Sequence, residues 1–166
     1  MWFAIVIALA AVGFTTAAQV DEERYVRNYD AVVDATTESL TLRLANGRVR
    51  MRVSTVHNGQ RRTAIPKRIE LLIIEHGPLI NDARAVESSV AIRADARLFV
   101  RGTRNPRDVA FMNAVAVVCT YDDFKELANA QSIDGDAFGH SFVLAPEQLS
   151  ELRALADRWM LPDETP

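Results

Sequence analysis

Leu40, Leu42 and Leu44 alternate with Thr41 and Arg43, and beyond Asn46-Gly47 the residues Val49, Met51 and Val53 alternate with Arg48, Arg50 and Arg52. A period of two marks a strand with one buried face. Asn-Gly is the preferred pair for a type I′ hairpin, because both of its positions take positive φ. If Ala45 and Arg48 close that turn, Leu44 faces Val49, Leu42 faces Met51 and Leu40 faces Val53. A slip of one residue would turn every one of these apolar side chains to the wrong face, so pattern and turn chemistry select one register. The same register sets Arg43 opposite Arg50.

Elsewhere the pattern is coarser. Residues 19–38 are acidic and polar and predict an N-terminal arm or helix. Residues 68–75 are apolar on both faces at Leu71-Leu72-Ile73-Ile74, which suits an interior strand covered on both sides and ended by Gly77-Pro78. Residues 90–101 alternate throughout and predict one strand, long enough to call for a bulge or bend. Residues 114–121 predict another strand. Asp123 and Glu126 have the spacing of a capping box opening a short helix to Ala130, and Asp134-Gly135 reads as a hairpin turn. The reading makes Gly47 the more sensitive of the two turn glycines, because three apolar pairs support its hairpin. Phe138, His140, Phe142 and Leu144 alternate as a strand.

The last element is a helix over residues 146–160. Pro146 suits the first helical position, Gln148 can reach back to the N-cap amide, and Leu149, Leu152, Leu155, Ala156 and Trp159 form one stripe. Hairpin-joined strands with helix mainly at the end predict a β-rich α+β fold. It would be an antiparallel sheet or β-sandwich of roughly 6–7 strands carrying a C-terminal amphipathic helix. The organisation expected is residues 1–18 as a secretory signal peptide, 19–38 as the acidic arm or helix, and 39–166 as one β-rich domain.

The signal-peptide reading rests on residues 1–18, which hold no charged side chain and end in small residues before Asp21. Cleavage after Ala18 would give an exported protein, periplasmic or extracellular, with no transmembrane segment left. The alternative is an uncleaved N-terminal anchor. Cys119 is the single cysteine, so no internal disulfide can form, and its apolar run AVAVVCTY fits a buried thiol.

Motifs for chemistry are sparse. Gly139-His140-Ser141-Phe142-Val143 lacks the second glycine that a nucleophile elbow requires. No histidines have ligand spacing, and one cysteine cannot build a thiolate zinc site, so neither a metal nor a cofactor is expected. Asp134-Gly-Asp136 lacks the remaining positions of a calcium loop. No residue is assigned a catalytic role.

Charge changes the picture most. Residues 39–69 contain Arg43, Arg48, Arg50, Arg52, Arg61, Arg62, Lys67 and Arg68 and no acid, in a chain whose formal net charge is −3. The pleat that buries the leucines forces Arg43, Arg50 and Arg52 outward, and Arg48 beside the turn goes with them. Like charges opposed across strands cost stability unless solvent or an anion compensates. The candidate binding residues are therefore Arg43, Arg48, Arg50 and Arg52. The reading they give is a non-catalytic cell-envelope binding or accessory module, with an anionic envelope polymer, lipid head groups or an acidic protein as partner. A pI near 5.6 and no aromatics among the arginines argue against nucleic acid. The alternatives are a small secreted hydrolase using His140 with a carboxylate or Cys119, and a structural envelope subunit.

Overall fold

The computed structural model describes residues 24–75, 89–103 and 114–161. Residues 1–18, where the sequence predicts a signal peptide, lie outside them. The described residues form nine strands in two antiparallel sheets, with two helices. This is the β-rich α+β class that the pattern predicts.

The first sheet contains β1 (Arg24–Asp30), β2 (Ala35–Leu44), β3 (Val49–Asn58), β4 (Ile69–Glu75) and β7 (Ala114–Cys119), in the order β1-β2-β3-β4-β7. The β2–β3 register pairs Leu44 with Val49, Leu42 with Met51, Leu40 with Val53 and Arg43 with Arg50, as the pattern requires. Asn46 and Gly47 both sit at positive φ, and the Arg48 N–H donates to the Ala45 carbonyl at 3.1 Å. All six apolar partners are buried. β4 is an interior strand, but only one of its faces is fully covered: Ile69, Leu71 and Ile73 are buried while Leu72 and Ile74 are half-buried.

The second sheet contains β5 (Ser89–Ala94), β6 (Arg97–Thr103), β8 (Ile133–Ala137) and β9 (His140–Val143), in the order β6-β5-β8-β9. The helices are α1 (Tyr121–Ala128) and α2 (Pro146–Met160). In α2 the Gln148 side chain accepts the Ala145 N–H at 3.0 Å, and the predicted stripe is buried throughout. The Phe124 ring of α1 meets Trp159 of α2 with centroids 5.3 Å apart.

Four expectations need correction. Residues 24–38 are neither arm nor helix: β1 pairs along its length with β2, from Arg24–Thr41 to Asp30–Ala35. The run 90–101 is a hairpin, not one strand, because Asp95 and Ala96 both take positive φ and reverse the chain. The Asp95 carboxylate holds that turn by accepting the N–H groups of Gln131 and Ser132, each at 2.9 Å. A bulge does occur beyond it, at the register shift between Ile92 and Arg93. The α1 cap is Thr120, whose hydroxyl accepts from the Asp123 N–H at 3.2 Å, so Asp123 is the third helical residue and not the cap.

Asp134-Gly135 is likewise not a turn. Both lie inside β8, and the chain reverses at Phe138-Gly139, again with positive φ at both positions. These differences raise the strand count from the expected 6–7 to nine.

Candidate functional site

Alternation along the first sheet settles which side chains share its outer face, the one away from the core. Arg43 on β2 lies opposite Arg50 on β3, and Arg50 continues to Ile74 on β4 and Ala114 on β7. One row on, Thr41 lies opposite Arg52, followed by Leu72 and Ala116. Three of the four candidate arginines thus stand on one face beside an aliphatic strip. Arg52 is exposed, while Arg43 and Arg50 are half-buried.

Arg48 is apart from them, exposed in the turn. Two adjoining hollows of about 510 and 490 Å³ open where this turn meets β9, and they share Ala45, Asn46 and Ser141. Arg43 and Gln148 border the first, and Arg48 and His140 the second. Among the described residues neither Arg48 nor Arg52 takes part in an ion pair.

His140 is half-buried, with Nε2 3.4 Å from Glu75 Oε1. It therefore meets a carboxylate, as the hydrolase alternative asks. The two nucleophiles nearest to mind are badly placed. Ser141 points to the other side of its strand and donates to Asp136 Oδ2 at 3.2 Å. Cys119 pairs with Ile69 at the far end of β4 from Glu75, and six strand residues span about 20 Å. Burial and the charge of Asp123 also push the Cys119 thiol up to about 11, away from the reactive thiolate.

One constellation escaped the sequence reading. Glu38 on β2 is fully buried, and its Oε2 accepts the Trp159 indole N–H at 2.6 Å. Its Oε1 faces His57 Nε2 at 3.3 Å, Arg62 Nε at 3.6 Å and Arg27 Nε at 4.0 Å. Arg62, only 2% exposed, donates from Nη1 to the carbonyls of Trp159 and Leu161 and from Nη2 to that of Arg158. A helix end leaves its last carbonyls without intrahelical partners and carries partial negative charge, so the buried guanidinium serves α2 as a cap. Arg158 stacks over the Tyr25 ring at 4.2 Å, and burial, with the Glu38 charge next, raises the Tyr25 phenol above its ordinary value.

A signal for Glu38 was present. It is in phase with Leu40, Leu42 and Leu44, so the pleat that buries them buries it too. Arg62 gave none, lying in a polar segment between strands. The cluster ties α2 to the first sheet and has the makings of a structural fastening: every charge in it is spent on another part of the fold.

The chain matches no protein-family model, no curated protein and no solved structure.

Proposed function

We propose that the protein is an exported, non-catalytic binding or accessory module of the cell envelope whose arginine-bearing sheet face takes an anionic ligand. The observation that carries this reading is the register. It puts Arg43, Arg50 and Arg52 on one outer face, where Arg52 is exposed and, among the described residues, takes part in no ion pair. Arg48 extends the positive field to the hairpin tip, and fields of this kind attract anions from a distance set by salt. Lipid head groups and acidic envelope polymers share the required chemistry of closely spaced negative groups. The His140–Glu75 contact is what the hydrolase alternative asks for, but neither Ser141 nor Cys119 is placed to serve it as a nucleophile.

The test is cosedimentation with polyglutamate-coated beads and with phosphatidylglycerol vesicles at low ionic strength. Binding is expected at low salt and should fade as the Debye length falls below about 10 Å. Changing Arg43, Arg50 and Arg52 together to Gln should remove binding to the polyglutamate beads and leave the circular dichroism spectrum unchanged. Polyanion binding that ignores the triple change would end the proposal.

A further inference from the structure

The far end of the first sheet, away from Arg43 and Arg50, carries a surface of another kind. β1 and β2 are joined by a turn in which Val32 is 93% and Val33 66% exposed. The turn is held from beneath: Asp30 Oδ1 accepts the Val32 N–H, and Asp34 Oδ1 accepts the Tyr29 hydroxyl, each at 2.8 Å. Two aliphatic side chains are thus presented to water by a formed turn.

The Asp34 carbonyl accepts the Gly59 N–H at 2.8 Å. Three residues on, Arg62 holds the Leu161 carbonyl at 2.6 Å, and three residues of chain span at most about 10 Å. The valine tip, the 59–68 segment and the end of α2 therefore share one end of the molecule. Ile65 and Leu161 are exposed there as well, at 47% and 62%. Arg61, Lys67 and Arg68 are exposed around them, and among the described residues none of the three is in an ion pair. Among the described residues the acids of this end are Asp30 and Asp34, which hold the turn, Asp157, Glu70 beside Arg68, and Asp122 and Asp123 at the start of α1 next to the Cys119–Ile69 pair.

We infer that this end docks on an anionic bilayer, with Val32 and Val33 entering the headgroup region while Arg61, Lys67 and Arg68 meet lipid phosphates. Shape and charge select this occupant. A protein partner needs a patch of about 800 Å² on each side, which a projecting two-residue tip does not offer. A second copy of the chain would bring the same cations against themselves. A bilayer rewards the burial of a few aliphatic side chains and adds attraction for each nearby cation. This surface does not depend on the arginine face proposed above.

The experiment uses the full chain carrying Val32→Trp, with the unsubstituted chain as blank, and vesicles containing brominated phosphatidylglycerol or brominated phosphatidylcholine. At low salt the added tryptophan should shift to the blue and be quenched on phosphatidylglycerol, and do neither on phosphatidylcholine alone. Arg61→Glu with Arg68→Glu should weaken partitioning roughly tenfold or more, and so should Val32→Asp with Val33→Asp. Thermal midpoints of the variants check that each is folded. Changing Arg43, Arg50 and Arg52 to Gln should leave the tip quenching in place, which separates failure of this inference from failure of the other. No quenching at low salt overturns it, as does quenching indifferent to the charge reversal. Concentration-dependent dimerisation abolished by the valine changes would give the surface to a second copy and overturn it too.

Discussion

Arg62 and the Arg43–Arg50 pair come from the same acid-free stretch of chain and meet opposite fates. Arg62 is 2% exposed, with its guanidinium spread over three helix carbonyls and beside a buried carboxylate. Arg43 and Arg50 are set against each other on the outer face of a sheet. A buried guanidinium survives only where its charge and most of its donors are answered, because desolvation would otherwise exceed any gain. Here both Nη atoms donate to carbonyls and Nε faces Glu38 Oε1 at 3.6 Å. Arg43 and Arg50 are only half-buried, so each side chain keeps part of its contact with water, which lessens the cost of a like-charged neighbour. The lesson is that a run of positive charge in sequence is not one physical object. One of its members fastens a helix, and others define a face.

The contrast predicts its largest effect at the buried end. Arg62→Ala would strand the α2 carbonyls and remove one of the cations facing Glu38, at a cost of about 3–5 kcal/mol. Glu38→Leu with Arg62→Met, which removes both charges, should cost less than the sum of the single changes by more than about 1 kcal/mol. Urea midpoints for the four members of this cycle check it. Additive costs would mean that the two groups are not coupled and that Arg62 acts on the helix alone.

A second contrast of inside against outside lies in the glycines, and here the structure reverses the sequence reading. Gly135 lies mid-strand under the Phe142 ring, where an added Cβ would meet the Ala91 carbonyl and come within 2.6 Å of the ring. Nothing stands within 4 Å of the same position at Gly47. Gly135→Val should therefore cost about 2–3 kcal/mol or more through overpacking. Gly47→Val should cost about 1–2 kcal/mol through positive φ alone. Equal midpoint shifts for the two variants would refute the packing argument.

What could be read in the sequence follows the range of the interactions involved. The β2–β3 register was legible because a local turn and a period of two agree over ten residues of each strand. The α2 helix was legible because its cap, its proline and its stripe are all its own. The Asp95-Ala96 turn was not, since its support comes from the N–H groups of Gln131 and Ser132, far along the chain. Gly135 misled because Asp-Gly is good turn chemistry. Its place in β8 is decided by Phe142 across the strand pair, whose ring covers the bare glycine. Of the candidate site, the outward arginines were legible from parity. Glu38 was legible in principle, and Arg62 was not, because its partners on α2 lie almost a hundred residues away.

Tyr25 gives a smaller effect, visible in pH. Burial first, and then Glu38, raise its phenol above 10.0 in the folded state. A raised folded value means stability that is fully present below the ordinary value and lost as pH rises through the folded one. Stability should begin to fall above pH 10.0, and Tyr25→Phe should remove part of that fall. The remainder belongs to Tyr29, Tyr121 and Cys119, which shift in the same direction. Chemical denaturation across pH 9–11 measures the difference between the two proteins. Identical curves would mean that Tyr25 is not linked to the cluster.

The smallest expected change is the one that tests the outer face as a face. If Arg43 and Arg50 repel each other across β2 and β3, Arg50→Thr should relieve that repulsion and supply a residue that suits a strand. The expected result is a gain of up to about 0.5 kcal/mol at low salt, shrinking as added salt screens the parent protein's repulsion. The structure offers a reason for the opposite sign as well. The Arg50 stem lies beside Ile74, and a long aliphatic stem can shelter apolar surface while its charged end stays in water. The two effects separate by salt, since sheltering does not depend on it and repulsion does. A loss above about 1 kcal/mol that is indifferent to salt would make Arg50 part of the packing. The face would then be held by the fold for its own sake, and Arg50 would join Arg62 on the structural side of the comparison.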